Sequence, residues 1–222
     1  MTNLLKPIVA ASFLAIVAAS CSDAPKGDAA AVSEEQKVAA ASGQNFTVDT
    51  TVSSVRFTGN GVGKNHPGTF SLSEGTLSVA DNKVSGGQFT VNIQSMKVEE
   101  EGDMFQNKLK PHLLGADFFD AEKNPTAKFE ITSIAPYTAS AGDSSVVAGA
   151  NYTVSGNFTL KGSTKNVTFP AQIEVLDNSI SAKANFDIDR TDWGMNYGND
   201  KGLGDKFISE TVNIQLNLAA KK

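Results

Sequence analysis

The sequence predicts an all-β, antiparallel fold, either a sandwich or a closed barrel, with one short helical segment at about 101–115. Apolar and polar residues alternate with a period of two over most of the chain after residue 45. Gly, Asn, Asp and Ser interrupt these runs at short intervals, which favours hairpin connections. The chain has 222 residues, of which 40% are hydrophobic and 19% charged. It is therefore long and apolar enough for a substantial core, and general disorder is excluded.

Residues 1–20 have the pattern of a secretory signal peptide. Lys6 precedes an apolar stretch that is too short to cross a bilayer core of about 30 Å. Ala18, Ala19 and Ser20 stand directly before Cys21, which is the single cysteine. This arrangement resembles the lipobox of bacterial lipoproteins, in which the cysteine is lipidated and becomes the mature N-terminus. The alternative is an ordinary cleaved signal with an incidental cysteine.

A lipidated Cys21 would attach the protein to the bacterial cell envelope, facing the periplasm. Some bacteria interpret Asp after the lipidated cysteine as an inner-membrane retention signal, and Ser22 stands at this position. We therefore expect the outer membrane rather than the inner one. Residues 21–44 contain no aromatic residue and little periodicity, and they are predicted to be a flexible tether.

The alternating runs predict about eight to ten strands, each apolar on one side. One-sided alternation is typical of antiparallel strands with one buried face. Such a number of strands in about 175 residues indicates a sandwich or a barrel. The alternating pairs and runs are Phe46 with Val48, Val55 with Phe57, Phe70 with Leu72, Leu77 with Val79, 89–93, Phe129 with Ile131, Tyr152 with Val154, Phe158 with Leu160, Ile173 with Val175, 184–188 and 212–218.

One segment, 99–120, departs from this alternation. Asp103 can cap a helix, Pro111 interrupts or ends its first turns, and Gly115 ends it. An apolar helix face inside a β domain can close a barrel end or cover a cavity. The apolar residues at helical spacing are Met104, Phe105, Leu109 and Leu113.

Composition and motifs argue against catalysis, metal binding and nucleic-acid binding. One cysteine, two histidines and two arginines offer few ligands for metals or phosphates, and the net charge of −5 disfavours nucleic acid. The sequence has no nucleophile-elbow or zinc-protease motif. We predict no enzymatic activity, no metal and no cofactor. Arg190, among Asp187, Asp189 and Asp192, is interpreted as part of a salt-bridge cluster at a strand end.

Several ordered motifs resemble the YceI family of polyisoprenoid-binding proteins. The longest are LKPHLLGADFFDAEKNPTAKF at 109–129 and YTVSGNFTLKGSTKNVTF at 152–169. SVRF at 54–57, HPGTF at 66–70 and FDIDRTDWG at 186–194 extend the resemblance over about 45–218. The resemblance implies that residues 45–222 form an eight-stranded, lipocalin-like barrel whose lumen holds a long isoprenoid or a related amphiphile.

With that resemblance, the leading hypothesis is a membrane-anchored, non-enzymatic binder or carrier of an isoprenoid lipid. The alternative is a structural envelope lipoprotein whose barrel is filled by side chains. The candidates for the lumen are Phe57, Phe70, Phe89, Phe105, Phe118, Phe129, Phe158, Phe186 and Trp193, with Met104 and Leu109 as a lid. The candidates for contact with a polar head group are Arg56, Lys64, His66, His112 and Arg190.

Overall fold

The computed structural model describes residues 25–139 and 144–222. The predicted signal peptide and Cys21 lie outside the described residues. Within them the chain forms eleven strands, one helical segment and two 3₁₀ segments, Arg190–Trp193 and Lys201–Lys206. The strands are β1 Asp28–Ala29, β2 Ala31–Ser33, β3 Gln44–Val48, β4 Ser54–Gly61, β5 Lys64–Ala80, β6 Lys83–Val98, β7 Thr126–Pro136, β8 Tyr152–Leu160, β9 Ser163–Val175, β10 Ser179–Asp189 and β11 Ile208–Lys221.

Strands β4 to β11 form a closed antiparallel barrel. Each pairs with the next along the chain, and β11 returns to β4 through pairs such as Ile214 with Phe57. β3 continues the line of β4, pairing with the far ends of β5 and β11. The predicted eight-stranded antiparallel barrel is confirmed, and the sandwich alternative is wrong.

The alternation of the sequence sets the two faces of the barrel wall. In β6, Phe89, Val91 and Ile93 are buried and point inward, whereas the residues between them face outward. The pairing of β5 with β6 shifts register at three places. Because each such irregularity bends a strand, these two long strands can curve around the barrel.

The structure differs from the predicted tether at 21–44. Residues 25–44, here called the N-terminal strap, lie against the outside of the barrel. β1 pairs parallel to β10, and β2 pairs antiparallel to β9. β9 and β10 pair directly only near their connecting turn, as far as the pair Ala171 with Ala184. Beyond this pair the two strands separate, and there β2 bonds to β9 and β1 bonds to β10. The strap is held mainly by backbone groups, which explains why its side-chain pattern carried no strand signal.

The helical segment between β6 and β7 consists of a π-helical turn, Phe105–Leu109, followed by helix α1, Lys110–Leu114. Pro111 lies inside this segment rather than ending it. A proline has no N–H to donate, and the wider π turn before it accommodates the ring. In the part of the chain that the structure describes, no helix is long and apolar enough to cross a membrane.

Candidate functional site: an apolar cavity in the barrel

The barrel encloses a cavity of about 220 Å³. Strands β4 to β11 form its wall, and α1 with the following loop covers one end. The side chains that line it are mostly aromatic or branched aliphatic. They include Val55, Phe57, Phe70, Phe89, Val91, Ile93, Leu109, Leu113, Phe118, Phe119, Phe129, Phe158, Phe169, Phe186, Ile188, Ile214 and Leu216.

The polar groups of the cavity lie at one end, here called the polar end. It is formed by the β4–β5 hairpin, α1, the end of β10 and the start of β11. Its polar side chains are Asn60, His66, His112, Arg190 and Ser209. The rest of the lining is almost entirely apolar.

Arg190 is a structural centre of the polar end. It is 3% exposed, and its guanidinium donates to the carbonyl oxygens of Ser209, Tyr197 and Ile208 at 2.9 Å each and to that of Met195. Its Cζ lies 5.7 Å from the centre of the Phe118 ring. Burial lowers the pKa of the guanidinium, while the charge of Asp189 opposes that change. The predicted salt-bridge cluster is wrong, because no carboxylate of the described residues bonds to Arg190.

Both histidines of the polar end pair with carboxylates. His66 Nδ1 lies 2.7 Å from a Glu100 carboxylate oxygen, and His112 Nε2 lies 2.9 Å from an Asp117 oxygen. The His112 ring also packs edge-on against Tyr197 and Phe118. Both histidines are therefore hydrogen-bonded within the protein.

Asn60, at the polar end, has an unpaired side-chain oxygen. Its side-chain Oδ1 is buried and has no hydrogen-bond partner among the described residues, while its Nδ2 donates weakly to the Thr211 carbonyl at 3.4 Å. An unpaired buried oxygen costs free energy.

The structure brings eight of the eleven predicted lumen residues to the cavity. The eight are Phe57, Phe70, Phe89, Leu109, Phe118, Phe129, Phe158 and Phe186. Met104 is 57% exposed and faces solvent, because the π turn rotates it away from the barrel. Phe105 packs its half-buried ring against His66, outside the lining. Trp193 is fully buried behind the wall, where its indole N–H donates to the Phe158 carbonyl at 3.0 Å.

Of the predicted head-group residues, His66, His112 and Arg190 line the cavity, and Arg56 and Lys64 lie outside it. Arg56 forms a bidentate ion pair with Glu99, in which Nε lies 2.7 Å from Oε1 and Nη2 lies 2.7 Å from Oε2. This pair raises the pKa of Arg56 and lowers that of Glu99. Lys64 is exposed at the β4–β5 turn. Contact of any of these residues with a ligand stays a prediction.

Sequence reasoning missed Phe169 and Phe119, which line the cavity. Phe169 alternates with Val167 and Ala171 in β9, so its inward position could have been inferred from strand parity. Phe119 lies in the loop after α1 and packs edge-on against Phe57 and Phe70. No periodicity applies in such a loop. Among the described residues, no group of three or more His, Asp and Glu is placed to hold a metal ion.

A closed antiparallel barrel with an apolar lumen and a polar end defines the class of β-barrels that hold one small hydrophobic ligand. The sequence model of the YceI-like domain matches residues 46–220. The chain therefore belongs to the YceI-like family, which has a binding-protein fold. This fold supports lipid binding in general.

Individual relatives agree with this assignment. The chain is similar to BcnA from Burkholderia cenocepacia, with a TM-score of 0.60 and 23% identity over 78% of this chain and 99% of that one. It is also similar to a polyisoprenoid-binding domain from Saccharophagus degradans, with a TM-score of 0.57 and 14% identity over 83% of this chain and 99% of that one. A UPF0312 protein of Serratia proteamaculans is 32% identical over 106 residues, 48% of this chain; the match spans about half, 47%, of that relative.

Proposed function

We propose that this protein binds an isoprenoid lipid or a similar amphiphile, with the tail in the barrel cavity and the head group at the polar end. The observation that carries the proposal is the cavity itself: about 220 Å³ of apolar space with polar side chains at one end only. Burial of apolar carbon contributes about 0.8 kcal/mol per CH₂, so a tail is held without directional contacts. The relative from Saccharophagus degradans is described as a polyisoprenoid-binding domain, which favours an isoprenoid tail.

The unfilled cavity argues against the alternative of a structural protein with a side-chain-filled barrel. A filled barrel would leave no space for a tail between Phe57, Val91 and Ile188, whereas these side chains border open volume here.

Lipid uptake is tested with the protein purified from a bacterial host. Mass spectrometry of an organic extract is expected to detect a bound isoprenoid, and delipidated protein is expected to take up added prenyl alcohols. Ala127, which is 2% exposed and lines the cavity, offers a filling variant, Ala127→Phe, that should abolish uptake. Ala182→Phe, in a separate smaller cavity, is the matched control and should retain uptake. No extracted lipid together with no uptake by the unmodified protein contradicts the proposal.

We further propose that Cys21 is lipidated and anchors the protein to the cell envelope, facing the periplasm, with the outer membrane favoured over the inner one. The support is the run of small residues before the single cysteine. The first described residue is residue 25, and four residues span at most about 14 Å. A lipid on Cys21 would thus hold the barrel close to the membrane surface rather than on a long tether.

Anchoring is tested by membrane fractionation and mass spectrometry of the mature N-terminus. The unmodified protein is expected in the outer-membrane fraction with a lipid-modified N-terminal cysteine. Cys21→Ala should move it to the soluble periplasmic fraction, and Ser22→Asp should shift it toward the inner membrane in hosts that use this sorting signal. A soluble, unmodified native protein contradicts the anchor without affecting the lipid-binding proposal.

A further inference from the structure

The barrel wall has a gap in its backbone pairing between β9 and β10, here called the seam, which lies between residues 163–170 and 185–189. The last pair before it joins Ala171 to Ala184. The carbonyl oxygen of Ala171 accepts from Asn151 N–H at 3.0 Å, on the side of β8. Successive residues of a strand direct their backbone groups to opposite sides, so Pro170 directs its own toward β10. Because proline has no N–H to donate, the pairing of β9 with β10 cannot continue there.

Two aromatic rings close the inner side of the seam. Phe169 on β9 and Phe186 on β10 each stand two residues beyond the last pair. Their rings stack with centroids 4.0 Å apart and 6° between the ring planes. Both residues line the cavity, as do Val167 and Ile188 further along the two strands. The seam is therefore held from inside by side chains instead of backbone hydrogen bonds, and it leads directly to the cavity.

The N-terminal strap closes the outer side of the seam. β1 runs parallel to β10 and β2 runs antiparallel to β9, which are the directions that a strand inserted between the two must have. Ala30 and Val32 are half-buried and pack against the hydrophobic core, whereas Ala29, Ala31 and Ser33 are exposed. The strap thus has an inner and an outer face, and it serves as a short additional strand of the wall.

The strap is held less firmly than the strands of the barrel. β1 has two residues and β2 has three, whereas β10 pairs with β11 along its whole length. The ion pair of Glu34 with Lys165 contributes little, because the Glu34 side chain is 88% exposed. Other ties are single hydrogen bonds, including those to Asp187 and Asn157. A segment with short pairing and few buried apolar contacts opens at a lower free energy than the rest of a fold.

We infer that the seam is a lateral entrance to the cavity and that the N-terminal strap is its gate. When the strap leaves and the rings of Phe169 and Phe186 part, a lipid tail passes sideways between β9 and β10 into the barrel. This inference rests on the proposed lipid binding and adds the route of uptake. None of the described strap residues lines the cavity. The gate therefore controls the rates of uptake and release and leaves the equilibrium affinity unchanged.

A disulfide that fastens the strap to β9 tests the gate. Ala31 and Thr168 are directly opposed in the pairing of β2 with β9. Opposed residues of an antiparallel pair have Cα atoms about 4.5–5.5 Å apart, which is within disulfide reach. Ala31→Cys with Thr168→Cys is made in a Cys21→Ala protein, which lacks the single native cysteine. Stopped-flow experiments then compare the oxidised and reduced forms of this variant in uptake and release of farnesol, a short prenyl alcohol.

The oxidised variant should take up and release farnesol at least about tenfold more slowly, because the disulfide prevents local opening of the strap. The dissociation constant should stay the same, and reduction should restore both rates. Lys183→Cys with Asn217→Cys, in the same Cys21→Ala protein, is the matched control. It places a disulfide between two exposed, opposed residues of β10 and β11, and oxidation should leave its rates unchanged. Equal rates in the oxidised and reduced strap variant overturn the inference and indicate entry through the polar end.

Gly27→Ala makes the opposite change and keeps the inference testable if the disulfide does not form. A Cβ on Gly27 would lie 2.6 Å from the Phe186 backbone, so this variant should loosen the strap and speed both uptake and release. Rates that do not rise overturn the inference. If the unmodified protein takes up no farnesol, the proposed lipid binding fails and the inference fails with it. That result is distinct from measurable uptake that does not respond to the strap, which overturns the inference alone.

Discussion

The amide of Gly27 donates to the Asp187 carboxylate at 3.1 Å and so ties the N-terminal strap to the outside of β10. The same carboxylate oxygen accepts from the Asn213 amide at 2.7 Å. Asn213 is 0% exposed although it points away from the lumen, because the strap covers it. Asn157, on β8, is covered similarly and exchanges two hydrogen bonds with the backbone of Gln36. The strap therefore satisfies buried polar groups on the outer face of the barrel.

Gly27→Ala is expected to detach the strap. A Cβ at this position would lie 2.6 Å from the Phe186 backbone, which cannot move without distorting β10. Overpacking of this kind costs about 1–3 kcal/mol. Urea unfolding and amide exchange of residues 28–33 measure the loss. Gly59→Ala, where a Cβ meets nothing within 4 Å, is the control and should be neutral or stabilising. Unchanged protection of 28–33 in the Gly27 variant would contradict the role of the strap.

The sequence predicted the barrel wall well because the side chains of a strand alternate between its two faces with a period of two residues. Once Phe158 and Phe186 are assigned to the inner face, their neighbours follow by parity, and both residues do line the cavity. The strap, by contrast, binds through backbone groups such as Gly27 N–H and carries no apolar alternation. Met104 was misplaced because a π turn changes the angle between successive side chains, and sequence spacing does not indicate it.

The positions of the two arginine side chains also could not be predicted from the sequence. Both were treated as candidates for head-group contact, because sequence does not tell where a long side chain ends. Arg56 lies on the outer face and pairs with Glu99, whereas the Arg190 guanidinium donates hydrogen bonds to four backbone carbonyl oxygens. That difference depends on the path of the 194–209 loop, which brings the carbonyls together and which no local pattern predicts.

Replacing the two arginines should therefore have unequal effects on stability. Arg190→Met leaves four carbonyl oxygens at the polar end without their donor, and we expect a loss of about 3 kcal/mol or more in the free energy of unfolding. Arg56→Met breaks a partly exposed ion pair and should cost less than about 1 kcal/mol. Chemical denaturation compares the two variants. Equal losses would show that the carbonyl network of Arg190 does not stabilise the loop.

Stability should decrease in acid through Asp49, at the end of β3. Lys221 bonds to its carboxylate at 2.6 Å, and Thr51 donates to it as well, which lowers its pKa from 3.8 to about 2. Below a pH of about 4 the unfolded chain takes up a proton that the folded protein does not, so stability falls between pH 4 and 2. The contribution is fully present above that window.

Urea unfolding of the Asp49→Asn variant at several pH values tests this assignment. Asp49→Asn should reduce the slope of stability against pH between 4 and 2, and Lys221→Met should reduce it too. Lys222→Met removes a neighbouring charge that contacts the Phe46 ring instead, so it is the control and should keep the slope. An unchanged slope in the Asp49 variant would exclude this ion pair as its source.

Gly156 gives Phe129 the space to lie across β8, where its ring stacks on Phe89 and packs against Phe169. A Cβ on Gly156 would lie 2.2 Å from Phe129 Cζ, so Gly156→Ala must push the ring out of place. We expect a loss of about 1–3 kcal/mol in stability. Phe129→Leu relieves the clash, so in the double variant the two losses should fall short of additivity by about 0.5–3 kcal/mol. Urea unfolding of the two single variants and the double variant measures this coupling, and strictly additive losses would show that Phe129 does not depend on the absence of a side chain at position 156.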